Sequence, residues 1–236
     1  MTTGTVRIVT VVFGGEPYTQ MARVFRRSCR LAMPEVRFTQ LQGQTPAEDG
    51  RPWDCRMNTE KLRLWVEASG RYGDENLVLA DCDMLAVGDV RHVFADRSFD
   101  VGYTRRSEIL PLNGGILFVR PTLAARRWLA ALWRINEAMR EDPAFHAPFR
   151  ARYHGMNQAA MGYLIEQPVA GVRVRAFPCS RYNLLGNDLI QPDPDAVFVH
   201  IKSALRKLIL GQPVGARDRA LYGPMAARWH AIEATL

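Results

Sequence analysis

The run VRIVTVVFGG at residues 6–15 constrains the fold more than any other stretch of the chain. Its β-branched residues read as a buried strand, and the Gly-Gly pair that closes it reads as a tight turn. A buried strand needs paired neighbours, and the sequence supplies them in alternation with helical segments. Residues 16–32 carry Met21, Val24, Phe25, Ser28 and Ala32 on one helical face and Arg23, Arg26, Arg27 and Arg30 on the other. EVRFTQL is a second strand. NTEKLRLWVEAS reads as a helix with Asn58 as N-cap and Lys61 in its first turn, and ENLVLA is a third strand. FDVGYT and GGILFVR are short strands flanking a proline turn at Pro111. Residues 122–140 form a long helix with Trp128, Leu132, Ile135 and Met139 in phase. NQAAMGYLIEQ is another helix, and GVRVRAF and AVFVHI are late strands. This alternation predicts an α/β fold whose mainly parallel sheet is covered by helices on both faces. Functional side chains then belong at the carboxyl ends of strands, where Gly14-Gly15, Asp81 and Asp83, Asn113-Gly114 and His200 all fall.

With 236 residues, 47% of them hydrophobic, the chain can bury one substantial core, and no linker or repeat divides it. Residues 1–236 are therefore read as a single domain. No apolar run approaches the roughly 18 residues that cross a bilayer, and MTTGTVRIVT has neither the basic leader nor the cleavage site of a secretion signal. Cys29, Cys55, Cys82 and Cys179 lack metal or disulfide spacing, which suits free thiols in a reducing cytoplasm. Lys and Arg exceed Asp and Glu, 31 against 24, for a formal net charge of +7. Such a surplus favours anionic partners: nucleotide phosphates, nucleic acid or an acidic membrane surface. Within it, GDENLVLADCDMLAVGD is locally acidic, as a divalent cation shared with a phosphorylated ligand requires. A soluble protein that is merely Arg-rich is the alternative.

Four motifs carry chemistry. On an extended chain residues i and i+2 point the same way, so Asp81 and Asp83 can aim both carboxylates at one spot. Unpaired, they would repel; a hard divalent cation such as Mg²⁺ or Mn²⁺ removes the conflict. A solvated acidic loop is the competing reading. His200, after the apolar AVFV, could complete a metal shell while Lys202 holds a phosphate, although a lone strand-end histidine more often bonds to backbone. In PLNGGILFVR, Asn113 offers both donor and acceptor, and the glycines after it let backbone approach a ligand; an Asn-Gly turn between strands competes. In HGMNQAAMGYLI, Asn157 and Gln158 open a helix whose N–H groups attract oxygen-rich ligands, with capping by Asn157 as the plainer role. The chain has no P-loop, GxGxxG, GxSxG or HExxH pattern. No helix-turn-helix, zinc-finger or RNP signature accompanies its arginines.

Taken in order, VTVVFGG, TEKLRLW, LVLADCDMLAVGDVRHVF, PLNGGILFVRP, GMNQAAMGYLI, FPCSRYN and VFVHIKSALRK resemble glycosyltransferase family 8 over roughly residues 6–210. The Asp-x-Asp block is the most specific part. The resemblance implies a GT-A, Rossmann-like nucleotide-diphospho-sugar transferase fold with a mixed, mainly parallel sheet, and a transferase using Mn²⁺ or Mg²⁺ with a UDP-sugar donor. It implies Asp81, Asp83 and His200 as metal ligands; Cys82, between the two acids, is read as facing into the fold without a chemical role. Val11, Val12, Phe13 and Gly14 correspond to the nucleobase pocket, and Lys61 to the basic donor contact. Asn113 and Gly114 match the turn beside the donor sugar, and Gln158 the amide near the anomeric centre. Lys202 and Lys207 lie where the family's His-x-x-Gly-x-x-Lys segment grips the diphosphate. Two departures stand out: Asn157 replaces the Asp of the family's Asp-Gln pair, and HIKSALRK lacks the glycine and the Pro-Trp of HFxGxxKPW.

The implied reaction retains configuration at the anomeric carbon. No carboxylate stands out as a nucleophile, so same-face attack is expected, with a donor phosphate oxygen taking the acceptor proton. The acceptor stays open among a glycan, a lipid-linked glycan reached by peripheral association with the inner face of a membrane, and a nucleic acid. A nucleotide- or nucleic-acid-binding module without transferase activity, and a sugar-phosphate nucleotidyltransferase, are the rival readings.

Overall fold

The strand foreseen at the N-terminus, β1 (Val6–Phe13), lies between β2 (Arg37–Gly43) and β3 (Asn76–Ala80) and runs parallel to both. The computed structural model describes residues 4–48, 50–106 and 111–236. The sheet continues through β6 (Asn113–Val119), β5 (Val101–Arg105) and β7 (Val174–Pro178), in the order β2-β1-β3-β6-β5-β7. β6 runs antiparallel to both β3 and β5, and β7 is parallel to β5. The sheet is therefore mixed and mostly parallel. β4 (Met84–Ala86) and β8 (Phe198–His200) stand apart as a short antiparallel pair. The late strand AVFVHI thus leaves the main sheet and carries His200 to face Met84.

Eight helices cover this framework among the described residues: α1 (Tyr18–Ala32), α2 (Trp53–Arg71), α3 (Leu123–Glu141), α4 (Pro143–Tyr153), α5 (Met156–Glu166), α6 (Cys179–Tyr182), α7 (Ser203–Ile209) and α8 (Ala216–Glu233). Strand alternation sends Val9, Val11, Leu77, Leu79, Leu117 and Val119 to one face, where Trp65 of α2, Trp128 of α3 and Ala160 of α5 meet them. Ile8, Val78, Ile116 and Phe118 point oppositely, onto Phe25 of α1 and Phe177. Burial on both faces explains why these strands are apolar without alternation. A third cluster joins Met21 and Val24 of α1 to Val199, Leu205 and Trp229, so α8 packs on the domain through Tyr222, Ala226, Trp229 and Ile232. No helix among the described residues is long and apolar enough to cross a membrane.

The buried face of α1 is the expected one, and its one polar member has a task. Ser28 Oγ donates to Phe25 O and accepts from Ala86 N at 3.0 Å, pinning β4, which directly follows Asp83. Two helix starts differ from expectation. α2 begins at Trp53 behind Pro52, so Asn58 lies inside the helix and Lys61 stands well beyond its first turn. Asn157 caps nothing, because Gly155 is the N-cap of α5 and makes no side-chain cap. α4 was not foreseen, although Asp142-Pro143 is a helix-start pair: Asp142 accepts from Ala144 N and Phe145 N, and Pro143 needs no donor there. Residues 107–110 of the expected proline turn lie outside the described residues.

Asp100 ties three elements together at the far edge of the sheet. Its carboxylate accepts from Arg173 backbone N, Nε and Nη2 at 3.0–3.1 Å and from Thr122, the N-cap of α3, at 3.0 Å. The Arg173 hydrogen bond holds the Asp100 carboxyl below its ordinary range despite burial, with Thr122 assisting. A lowered native pKa means that this stabilisation is complete above the unfolded value, about 4, and fades as pH falls through the lowered one. Asp100→Asn is expected to lower the thermal midpoint at neutral pH and to flatten its acid limb. Melting curves between pH 7 and pH 2.5 check this, and parallel wild-type and variant curves would overturn it.

Candidate functional site

The reversal of β6 creates the site. Because β6 is antiparallel to β3, its first residues rather than its last meet the end of β3, and Asp81 N donates to Gly115 O at 2.9 Å. Ile201 N donates to Asp83 O at 2.7 Å, bringing the end of β8 alongside. Asp81, Asp83 and His200 thereby offer one ligand atom each, all within 4.8 Å of one another. His200 Nε2 lies 3.2 Å from Asp83 Oδ1 and 3.6 Å from Asp81 Oδ2.

The protonation of this trio follows from its neighbours. Asn183 Nδ2 donates to Thr104 Oγ1 at 2.9 Å, and Thr104 Oγ1 donates to Asn113 O at 3.0 Å. This fixes the Asn183 amide with Oδ1 towards His200 Nδ1, 3.0 Å away, so Nδ1 carries the hydrogen. Nε2 is left with a lone pair, buried and without a hydrogen-bond partner, facing two carboxylates. Burial, reinforced by Lys202, holds the His200 pKa below its ordinary value against the pull of Asp83 and Asp81, which keeps the ring neutral. Burial pushes the Asp83 carboxyl upward, but the positive charges of Lys202 and Arg206 hold that carboxyl well below the usual range. Three acceptors converging without a donor between them fit a divalent cation, and oxygen-rich donors with one imidazole suit Mn²⁺ or Mg²⁺.

Cations flank the acids. Lys61 Nζ donates to Asp81 Oδ1 at 2.6 Å and lies 4.7 Å from the centre of the Trp65 ring. Arg206 Nη2 pairs with Asp83 Oδ2, and its Nε donates to Ile201 O at 3.0 Å. Beside them opens a cavity of about 480 Å³, whose lining includes the apolar Val11, Phe13 and Met57 and the cationic Lys61, Lys202 and Arg206. Tyr18 and Trp53, 40% and 55% exposed, complete its wall. A volume of that size suits a small-molecule ligand rather than a lone ion.

The expected site residues divide into two groups. Val11, Phe13, Gly14, Lys61, Asp81, Cys82, Asp83 and Lys202 line this cavity. Cys82, expected to face into the fold, forms part of the wall, and burial beside Asp83 and Asp81 pushes its thiol well up, leaving it protonated. The four cysteines form no disulfide. Val12 alternates away and is fully buried. Asn113, Gly114, Asn157 and Gln158 sit behind the floor. Asn113 Oδ1 accepts from Gly115 N at 3.0 Å, Gly114 N donates to Gln158 Oε1 at 2.9 Å, and Gln158 Nε2 donates to Tyr153 O at 2.6 Å. Asn157 is buried in α5. Lys207 is not in the wall. Counted from His200, the lysine of the His-x-x-Gly-x-x-Lys pattern falls on Arg206, and the glycine falls on Ser203, whose φ of 51° is the left-handed conformation glycine favours.

Asn183 was not singled out, and Gly115 was read as a close approach of backbone to a ligand rather than to His200. Asn183 lies 17 residues from its ring and closes the FPCSRYN segment, which carried no role for it. Gly115 was visible as half of a Gly-Gly pair, but its neighbour was not: a Cβ there would stand 2.6 Å from His200 Cε1.

No protein-family model and no curated protein matches the chain by sequence. Solved structures do match in fold. A glycosyltransferase involved in glycosylation of the major capsid of PBCV-1 superposes with TM-score 0.62 at 15% identity, over 92% of this chain and 98% of that one. The glycosyltransferase GlyE of Streptococcus pneumoniae TIGR4 gives 0.61 at 11%, over 98% of this chain and 63% of GlyE. The galactosyltransferase LgtC, solved with donor and acceptor sugar analogs, gives 0.56 at 12%, over 98% of this chain and 96% of that one. The α/β fold with its mixed, mostly parallel sheet is the GT-A fold of these glycosyltransferases.

Proposed function

We propose that the chain, as one catalytic domain, is a glycosyltransferase that moves a sugar from a nucleotide-diphosphate sugar, UDP-sugar, to an acceptor hydroxyl with retention at the anomeric carbon. The observation that carries this reading is the buried Nε2 lone pair of His200, held towards Asp81 and Asp83 at the base of a cavity large enough for a nucleotide. Asp81, Asp83 and His200 would hold Mn²⁺ or Mg²⁺. When bound, such an ion neutralises charge on a departing diphosphate. The protein's own groups supply the rest. Val11 and Phe13 give the base an apolar wall, and Lys202 and Arg206 bring positive charge to the phosphates. Lys61 occupies Asp81 Oδ1 and so leaves Oδ2 for the shared site.

In the reaction the bond from the anomeric carbon to the diphosphate oxygen breaks and the bond to the acceptor oxygen forms on the same face. The acceptor proton passes to a phosphate oxygen of the departing diphosphate. The test is a screen of UDP-sugars for slow metal-dependent hydrolysis. Activity with Mn²⁺ or Mg²⁺, its loss in EDTA and at least a 100-fold drop in Asp81→Asn/Asp83→Asn are expected, since both charged ligands are removed. Full activity in EDTA, release of nucleoside monophosphate with pyrophosphate chemistry, or an inverted product would overturn the reading.

A further inference from the structure

The face of α2 that reaches the acids carries more than Lys61. Trp53, Asp54, Met57, Asn58 and Lys61 recur at helical spacing, and all five line the cavity beside Asp81 and Asp83. Lys61 fixes the inner end of this ridge through its hydrogen bond to Asp81. Trp53, eight residues earlier, lies about 12 Å away along the helix axis. The ridge thus runs from the charged centre to the border of the cavity, where Asp54 also lines a smaller neighbouring cleft.

The outer end of the ridge is built, not loose. Arg56 is buried, and its Nη1 donates to Pro46 O and to Ala47 O, both at 2.9 Å. Anchored in this way, its guanidinium lies over the Trp53 ring, 5.7 Å from the ring centre. A fixed cation therefore backs the indole, yet Trp53 remains 55% exposed. A tryptophan held in place and left open to solvent keeps an apolar surface available that the core could have buried. On the same helix face, the side chains of Asp54 and Asn58 have no hydrogen bond or ion pair among the described residues.

An open aromatic face accompanied by a free carboxylate and a free amide suits one ligand chemistry. A pyranose presents a face of C–H groups and a rim of hydroxyls. The indole can take the first, while Asp54 accepts from hydroxyls and Asn58 both accepts and donates. A carboxylate in this position disfavours an anionic ligand. The donor's base has its apolar wall on another element, at Val11 and Phe13 of β1.

We propose that the ridge of Trp53, Asp54 and Asn58 is the acceptor platform, and that it takes a neutral pyranose stacked on Trp53 with its hydroxyls bonded to Asp54 and Asn58. This rests on the transferase reading above and narrows its acceptor to an uncharged glycan.

Methyl glucoside, methyl galactoside, methyl mannoside and glucuronate, titrated into the full chain, test the proposal, with UDP and Mg²⁺ titrated in parallel. The readout is the indole N–H resonance of Trp53, identified by its loss in Trp53→Phe. At least one neutral glycoside should shift it, and glucuronate should bind more weakly. Trp53→Ala and Asp54→Ala should each weaken the best glycoside about tenfold, the scale of one aromatic contact or one charged hydrogen bond. Trp53→Phe should recover part of the loss. Both residues are exposed, so neither substitution opens the core. In Trp53→Ala the glycoside should lose more affinity than UDP; a larger loss for UDP would make Trp53 a base platform and overturn the proposal. Absence of a shift with every neutral glycoside, or tighter binding of glucuronate, would overturn it as well. Metal-dependent donor hydrolysis without glycoside binding removes the platform alone; glycoside binding without hydrolysis removes the acceptor role together with the transferase reading.

Discussion

Gly115→Ala is expected to cut metal-dependent donor turnover and Mn²⁺ affinity by about 100-fold or more, the scale set by losing a ligand or its support. The added methyl would lie 2.6 Å from His200 Cε1, 2.9 Å from Nδ1 and 3.2 Å from Asn113 Oδ1. Something must give, and neither neighbour can move alone. The imidazole is 1% exposed and tethered to Asn183, so it has no empty space to rotate into. If the strand gives instead, Asp81 moves with it through its hydrogen bond to Gly115 O. Both routes pull a ligand away from the trio. The backbone at Gly115 is not left-handed, so the effect is steric and not conformational. Gly114→Ala provides the comparison, since its methyl meets Gln158 Cγ at 2.8 Å and that side chain is longer and only partly buried. Calorimetric titration of Mn²⁺ into both variants is the measurement. Wild-type affinity in Gly115→Ala would show that the ring is not where it must be for binding.

Asn183→Leu is expected to weaken metal binding by 10- to 100-fold, the usual cost of removing an outer partner of a ligating histidine. Leucine fills the same volume but cannot accept from Nδ1, so the hydrogen is free to move to Nε2 and block the lone pair that faces Asp81 and Asp83. Thr104 loses its donor in the same step. Asn183→Asp keeps an acceptor for Nδ1–H and should recover much of the affinity, which a purely space-filling role for Asn183 would not predict. The ¹⁵N shifts of the His200 ring report the tautomer directly. An unchanged tautomer in Asn183→Leu would sink this account.

How much of this was legible follows from how local each signal is. The strand β1, the two-sided burial and the amphipathic face of α1 depend on periodicity within a dozen residues, and they read directly. The Asp-x-Asp pair was equally plain, because i and i+2 converge on any extended chain. What escaped was set by tertiary context. The reversal of β6 cannot be seen in GGILFVR, and it decides that Asn113 and Gly115 support the floor of the site. The start of α2 was misplaced because Asn58 has cap chemistry, yet the helix begins five residues earlier behind Pro52. Lys207 was named for the diphosphate grip and Arg206 was not, whereas spacing from His200 and the turn at Ser203 point to position 206. The segments that hold Asn183 and His200 were both visible, but their contact across 17 residues was not.

The pairing of Lys61 with Asp81 and of Arg206 with Asp83 has a consequence for how the protein is made. Many acidic centres are electrostatically frustrated until their ion arrives, and such chains mature only where the ion is abundant. Here each acid has a resident counter-charge, so the polypeptide can reach its native state without an ion. Under the metal-binding role proposed for Asp81, Asp83 and His200, assembly of the fold and acquisition of the inorganic component become separate events, and the ion pool would govern how many molecules work, not how many exist.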